Sequence, residues 1–155
     1  NKSLKLNSLE DRISFICSDV KEYSSKHLNE FDLVLCNPPY FKVERNSTFN
    51  DSYEKMIARH EIDINLKELV VVAKKLLKNN GNFAIVHRPE RLMEILLEFR
   101  KNSIEPKRIQ FVYEKVSKGS TLVLIEGQKN GNEGLKIENP IIMYNEDGTI
   151  TRDYS

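Results

Sequence analysis

Leu33-Val34-Leu35-Cys36-Asn37-Pro38-Pro39-Tyr40 runs an uninterrupted apolar stretch into two consecutive prolines and an aromatic residue. Neither proline can donate to a β-ladder, and each biases the residue before it away from the helical region. The strand therefore has to stop at Asn37, in a stiff extended turn. A carboxamide, a proline carbonyl and a phenol ring then stand together at the carboxyl end of a buried strand, where open α/β sheets bind ligands. Asn-Pro and Pro-Pro are also ordinary turn punctuation, and a tyrosine after a turn often only packs. The surroundings favour chemistry, because a hydrophobic strand leads into the tetrad and Asp19 ends another apolar run upstream.

Working outward, Asn1 to Asp11 reads as the frayed end of a helix and a turn, without an initiator methionine. Arg12–Asp19 reads as a strand on Ile13, Phe15, Ile16 and Cys17. Tyr23–His27 makes one helical turn before the second strand, Phe31–Cys36. Downstream, Phe41–Glu61 is polar and aperiodic, the kind of long connection that is usually functional or mobile. Ile62, Leu66, Leu69, Val70, Ala73, Leu76 and Leu77 then fall at helical spacing. Asn65 with Glu68 resembles a capping box, and Asn80-Gly81 supplies the stop.

Asn82–His87 is nearly all apolar, as buried parallel strands are. Pro89 suits the first turn of a helix whose stripe is Leu92, Ile95, Leu96 and Phe99. Arg108–Tyr113 and Thr121–Glu126 supply the fourth and fifth strands. Lys129–Gly134 is turn-rich, and Asp147-Gly148 between Ile141–Tyr144 and Thr149–Arg152 signals a hairpin. Alternating elements followed by paired strands predict a mainly parallel α/β sheet finished by an antiparallel edge. Residues 1–155 read as a single domain, with 129–155 as its carboxyl-terminal hairpin extension.

The 155 residues, 39% hydrophobic and 30% charged, describe a globular protein with a real core. No apolar run approaches the ~20 residues that cross a bilayer, and the first residues lack signal-peptide form, so the expected location is the cytoplasm, without a membrane partner. Net charge is +1; Glu126–Ser155 holds six acidic against three basic residues, a local −3 that leaves about +4 on residues 1–125. That asymmetry hints at a basic face. Cys17 and Cys36 lie within apolar strand patterns with no CxxC spacing, the pattern of reduced core thiols. His27, His60 and His87 are too scattered to suggest a metal site.

The tetrad, the acidic residue ending the strand before it and the two late paired strands resemble the class I methyltransferases that use S-adenosylmethionine. The tetrad is similar to the signature of those acting on conjugated amino groups, the N6 of adenine or a glutamine side-chain amide. Within that group the chain looks like the bacterial enzymes that methylate N6 of the adenine 3′ to the anticodon of a valine tRNA. That closer likeness is carried by Asn37-Pro38-Pro39-Tyr40-Phe41, Ala58-Arg59-His60-Glu61, Val86-His87-Arg88-Pro89-Glu90-Arg91-Leu92, Glu105-Pro106-Lys107-Arg108-Ile109-Gln110-Phe111-Val112 and Met143-Tyr144-Asn145.

The resemblance implies a Rossmann-like fold with S-adenosylmethionine as cofactor and tRNA as partner. It places Asn37 and Pro38 as acceptors of the target amine's hydrogens and Tyr40 as a stacking platform, with Asn37 also beside the cofactor. Pro39 and Phe41 would border the substrate; Asp19 would accept from the cofactor's adenine, with Val20 against its ring. Arg59, His60, His87, Arg88, Arg91, Lys107 and Arg108 would contact RNA, although a solvated surface charge is the common reading of any one of them. Asp19 could equally open a turn before Lys21.

One departure is plain. Members of the fold begin with a Gly-rich loop between an early strand and a helix, and none of the six glycines, from Gly81 to Gly148, lies there. The expectation is a chain lacking the amino-terminal part of the sheet, with the full-length parent as the enzyme and this piece alone inactive. A glutamine-amide methyltransferase of the release-factor type and a non-catalytic RNA-binding module are the alternatives. Oligomeric state is not set by any sequence feature.

Overall fold

The computed structural model describes Asn7, Leu9 and residues 11–38 and 66–151. Asn37 and Pro38 fall within them; Pro39, Tyr40, Phe41, Arg59, His60, Asn65 and the Phe41–Glu61 connection lie outside. Helix α1 covers Val20–Lys26 and is opened by Asp19, whose Oδ1 accepts from the backbone of Lys21 at 2.7 Å and of Glu22 at 3.1 Å. An aspartate here satisfies helix donors that have no intrahelical acceptor and places negative charge at the positive end of the helix. Strand β1, Phe31–Cys36, follows and ends just before Asn37-Pro38.

Helix α2 spans Leu66–Leu76, with Leu66, Leu69, Val70, Val72, Ala73 and Leu76 buried. Leu77, expected to close that helix, instead opens β2, Leu77–His87. The ladder to β1 jumps from Phe31↔Leu77 to Leu33↔Asn82, so residues 78–81 loop out between the two pairings. Asn80 sits at φ 63, and a Cβ on Gly81 would stand 3.0 Å from the Lys78 carbonyl and 3.1 Å from that of Phe31. Asn80-Gly81, expected to stop the helix, instead lies in this looped-out segment beyond its end at Leu76, and the continuous ladder begins at Asn82.

A single 3-10 turn at Pro89–Arg91 leads into α3, Leu92–Lys101, followed by β3, Ile104–Tyr113, and β4, Ser120–Lys129. Two short strands, β5 at Lys136–Ile137 and β6 at Ile141–Ile142, pair parallel with β3. The sheet runs β1-β2-β4-β3, then β5 and β6. Every strand except β4 points the same way, so the sheet is mainly parallel, as expected.

Three expectations need correction. The antiparallel strand is not the edge: β4 is inserted between β2 and β3, because a tight β3–β4 connection folds it back into the gap that the α3 crossover leaves. Arg12–Asp19 forms no strand; a strand needs a neighbour for its backbone groups, and no described residue pairs with it. Ile13, Phe15, Ile16 and Cys17 are accordingly exposed, so Cys17 is not a core thiol. The tail hairpin is reduced to a bridge between Tyr144 and Ile150, with Gly148 at φ 89 in its turn.

The core lies between one face of the sheet and the helices. Phe83 and Phe99 meet at a ring-centroid separation of 5.2 Å, surrounded by Val70, Ile85, Ile95, Ile104 and Ile125. At the base of β4, the Lys129 ammonium bonds to Asn29 Oδ1 at 2.7 Å and to the carbonyls of Lys74 at 2.8 Å and Leu77 at 2.7 Å. Those carbonyls close α2, where a cation is favoured. Burial, with Lys74 nearby, pushes this amine's pKa below the ordinary lysine range.

Gly127 is where α3 and β3 approach β4 most closely: a Cβ there would stand 2.6 Å from Ile104 and 2.7 Å from Phe99. Gly127→Ala should destabilise the fold by about 1–3 kcal/mol through overpacking, read as a lower midpoint in urea unfolding. An unchanged midpoint would mean that the helix layer yields at no cost.

Candidate active site at the carboxyl ends of the strands

The parallel ladder sets Cys36 opposite Ile85, which brings Asn37 and Pro38 to the same end of the sheet as His87 and Arg88. β3 ends at that level too, since His87 pairs with Val123 and Val123 with Phe111. Helix α1 brings Asp19 to this rim. Lys21 pairs with Glu68 in the first turn of α2 at 2.8 Å, while Asn29 and Glu30 donate to Lys75 and Leu76 at the end of α2. The helices therefore run side by side, antiparallel to the strands, with Asp19 and Val20 at the end where β1 stops.

Asn37 is exposed and lines a hollow of about 520 Å³. Leu35, Ala84, Val86 and Leu124 form its apolar floor; Arg108, Gln110, Glu126 and Glu138 stand at its far side. Asn37 thus stands exposed beside a cleft rather than packed inside. Neither the floor nor the acidic pair was anticipated from the sequence, although strict alternation along β2 and β4 puts these residues on the face opposite the core.

The basic residues expected on RNA divide. His87, Arg88 and Arg91 sit at the rim. Arg91 is held by Glu94 in a fork, Nε to Oε2 at 2.6 Å and Nη2 to Oε1 at 2.7 Å, which keeps the Glu94 carboxyl below its usual pKa range. Arg88 is exposed and has no carboxylate partner among the described residues. Arg108 lies mid-sheet, level with Leu35 and Ala84, with its Nη2 2.7 Å from Glu126 Oε2. Lys107 is lower still and donates to the Asn132 carbonyl at 3.0 Å. Arg108 thus lies across the sheet from Asn37, with β2 and β4 between their strands and at the level of Leu35, on the far side of the same hollow.

His87 is buried, and the backbone N–H of Arg88 donates to its Nδ1 at 2.8 Å. That bond makes Nδ1 the acceptor and leaves the proton of the neutral ring on Nε2. Desolvation, then Arg91, push its pKa below the ordinary histidine value, against an upward pull from Glu94. Burial raises the Cys36 thiol, consistent with an unreactive core cysteine.

No family model matches the chain. A predicted O-methyltransferase from Agrobacterium tumefaciens, solved by crystallography, superposes with a TM-score of 0.72 at 17% identity, over 97% of this chain and 66% of its own. This is the Rossmann-like methyltransferase fold. A Thermus thermophilus protein named as a DNA modification methylase and solved with S-adenosyl-L-methionine shares it, with a TM-score of 0.52 and 16% identity over 75% of this chain and 55% of its own. In sequence, the methyltransferase-fold chain is 31% identical over 85 residues to the tRNA1(Val) (adenine(37)-N6)-methyltransferase of Dyadobacter fermentans, covering 55% of this chain and 33% of that protein. It spans a third to about half the length of the curated relatives of this name that it matches. Among the described residues no group of His, Cys, Asp and Glu could hold a metal ion, and no helix is long and apolar enough to cross a membrane.

The His87 environment generates a pH dependence. Its folded-state pKa lies below the ordinary 6.5, so at pH below about 6.5 the unfolded chain takes up a proton that the native ring resists. Stability contributed by the neutral ring should therefore fall as pH drops through that value. His87→Gln should flatten the loss between pH 7 and 5.5 in denaturant titrations; an unaltered pH slope would show the imidazole to be uninvolved.

Proposed function

We propose that the complete protein transfers a methyl group from S-adenosylmethionine to N6 of an adenine in the anticodon loop of a tRNA. The observation that carries this reading is the exposed residue Asn37, followed by Pro38, at the carboxyl end of β1 and on the lining of a cleft. The names of the curated relatives and the shared fold support it.

An aromatic exocyclic amine is a poor nucleophile because its lone pair is delocalised into the ring. Asn37 Oδ1 and the Pro38 carbonyl would accept its two hydrogens, drawing the nitrogen towards a tetrahedral shape and turning the lone pair out of the ring plane. Both oxygens also stabilise the positive charge that grows on nitrogen, so the chain contributes alignment and fixed dipoles. The fixed φ of Pro38 would keep these acceptors rigid, so little reorganisation is needed. Tyr40, outside the described residues, would stack on the base, worth roughly 1–3 kcal/mol by comparison with aromatic platforms for single-stranded bases. Pro39 and Phe41 would border the same base. An anticodon-loop adenine is partly unstacked already, which lowers the cost of extrusion.

The residues present fit part of a cofactor site. Asp19 stands at the rim with Oδ1 committed to capping α1, which leaves its second carboxylate oxygen to accept from a purine amino group, with Val20 beside it and Asn37 across the rim. When bound there, S-adenosylmethionine would supply an electrophilic methyl. Arg88, the rim cation without a carboxylate partner among the described residues, is the best placed for a phosphate. His87 and Arg91 shape the turn that presents it, and Arg59 and His60 remain proposals outside the described residues. Lys107 and Arg108 would act only on RNA that reaches along the sheet.

In the complete protein, Asn37→Ala should lower methyl transfer to tRNA by about 10²–10³-fold, the scale seen when one preorganised polar group is removed from a reacting centre, with cofactor affinity nearly intact. Labelled cofactor with tRNA and protein acceptors offered separately reads both the rate and the substrate. Label found only in protein would replace the tRNA reading with the glutamine-amide one, and near-normal turnover would remove Asn37 from the mechanism. Arg88→Ala should weaken tRNA binding while lowering the slope of log K against log salt by about 1, as loss of one phosphate contact does.

A further inference from the structure

Residues 114–119 join β3 to β4 in a turn that opens where Tyr113 pairs with Ser120, and so stands past the level of His87 and Arg88. The tail reaches the same turn. After β6 pairs with Val112 and Tyr113, the N–H groups of Met143 and Tyr144 donate to the carbonyls of Tyr113 and Glu114, each at 2.9 Å, and carry the chain out alongside β3. There Glu146 meets Ser117: the Ser117 backbone N–H donates to Oε1 at 3.1 Å and its hydroxyl to Oε2 at 2.8 Å, one donor on each carboxylate oxygen. The Lys115 ammonium donates to the Glu146 carbonyl at 3.0 Å, and that of Lys118 lies 2.8 Å from Glu114 Oε1. The two Ser117 bonds first, and the two lysines in addition, hold the Glu146 carboxyl below its usual pKa range.

An amide, a hydroxyl and two ammonium groups around one carboxylate make a site for an anion. Backbone N–H, serine and lysine are also donors that bind nucleic-acid phosphates, and two donors on separate oxygens suit a phosphodiester as well as a carboxylate. Ser117, Lys118 and Glu146 are exposed, and charged contacts in solvent contribute little to stability, so the fold does not require this arrangement. Val116, 73% exposed, leaves an apolar side chain uncovered beside the donors. Position points to the ligand. The sheet order puts β3 three strand spacings from β1, roughly 14 Å, a span of about four or five stacked nucleotides. A strand with one base at Asn37 would carry its flanking backbone over this turn. The segment that supplies Glu146 is also the one that holds the local −3 of residues 126–155.

We infer that the turn between β3 and β4 is a second phosphate site at the rim, built from Lys115, Ser117 and Lys118 for the backbone of the RNA substrate and occupied by the tail's Glu146 until that RNA displaces it. The ligand rests on the proposed tRNA reading; the anion site rests on the contacts alone. The exchange is undemanding, since a phosphate takes over both Ser117 bonds and Glu146 returns to water. Only the exposed turn of the tail has to move, with β6 still paired to β3.

Two variants of the complete protein test it: Glu146→Gln, which keeps the shape of the side chain without its charge, and Ser117→Ala with Lys118→Gln, which removes two of the donors. In the double variant tRNA binding should weaken about three- to tenfold, and the slope of log K against log salt should fall by about 1. Glu146→Gln should tighten binding by a similar factor, as loss of a competing charge at the rim does. Opposite signs separate the site from a structural cap, for which both changes loosen the same turn and weaken binding together. Equal signs, or no change in either, overturn the inference. Inorganic phosphate tests the site without RNA: the Ser117 amide resonance should shift at lower phosphate concentration in Glu146→Gln than in the unsubstituted protein, and a resonance indifferent to phosphate in both overturns it. An unsubstituted protein that binds no tRNA overturns the proposed function, while the phosphate titration still decides the site.

Discussion

The parallel pairing of β1 with β2 is the constraint on which the site depends. Leu33 to Cys36 lie against Asn82 to Ile85 in unbroken register, so the point at which the prolines stop β1 is delivered beside His87 and Arg88. A slip of β1 by one residue against β2 would invert β1, turning Leu33 and Leu35 into the core and Val34 and Cys36 out of it. The buried side chains of β2 forbid that slip: Phe83 and Ile85 are enclosed under α2 and α3, and Phe83 is in contact with Phe99.

That pairing is anchored at the other end of the sheet. The Lys129 ammonium joins the last strand in the hydrogen-bonded order before β3 to the end of α2 and to Asn29 in the turn before β1. Asn29 adopts φ 58 there, and its own N–H reaches the Lys75 carbonyl at 2.8 Å. Three acceptors compensate a charge whose burial would otherwise be expensive. The anchor at the base and the proline stop at the rim bracket β1.

Electrostatics at the rim are shaped more by compensation than by net charge. Arg91 and Arg108 are each committed to a carboxylate within the protein, Glu94 and Glu126. Arginine in a fork is a positioned plane rather than a mobile charge. A basic face inferred by summing residues along the chain therefore overstates what a polyanion would meet. Among the described residues at the rim, Arg88, fixed by the Nδ1 bond that its own backbone makes to His87, is a cation the arrangement leaves outward.

The four long strands and the helices on either side of Asn82–His87 were legible in the residues, because apolar periodicity and prolines act within a few positions of themselves, whereas the end of α2 at Leu76, the short β5 and the reduced tail hairpin were not. The boundary of β1 at Asn37 was legible too. The strand expected at Arg12–Asp19 was not decided locally: Ile13, Phe15 and Ile16 have strand chemistry, yet a ladder requires a partner and none of the described residues supplies one. Pairing of β4 with β2, the parallel addition of β5 and β6, and the neutralisation of Arg108 by Glu126 all join residues 18 or more positions apart. Contacts of that range depend on how the elements stack, so the residue pattern told which segments form strands and where one of them must break. Spatial neighbours, uncovered faces and paired charges emerged only on assembly, since each is a relation between distant segments rather than a property of any one.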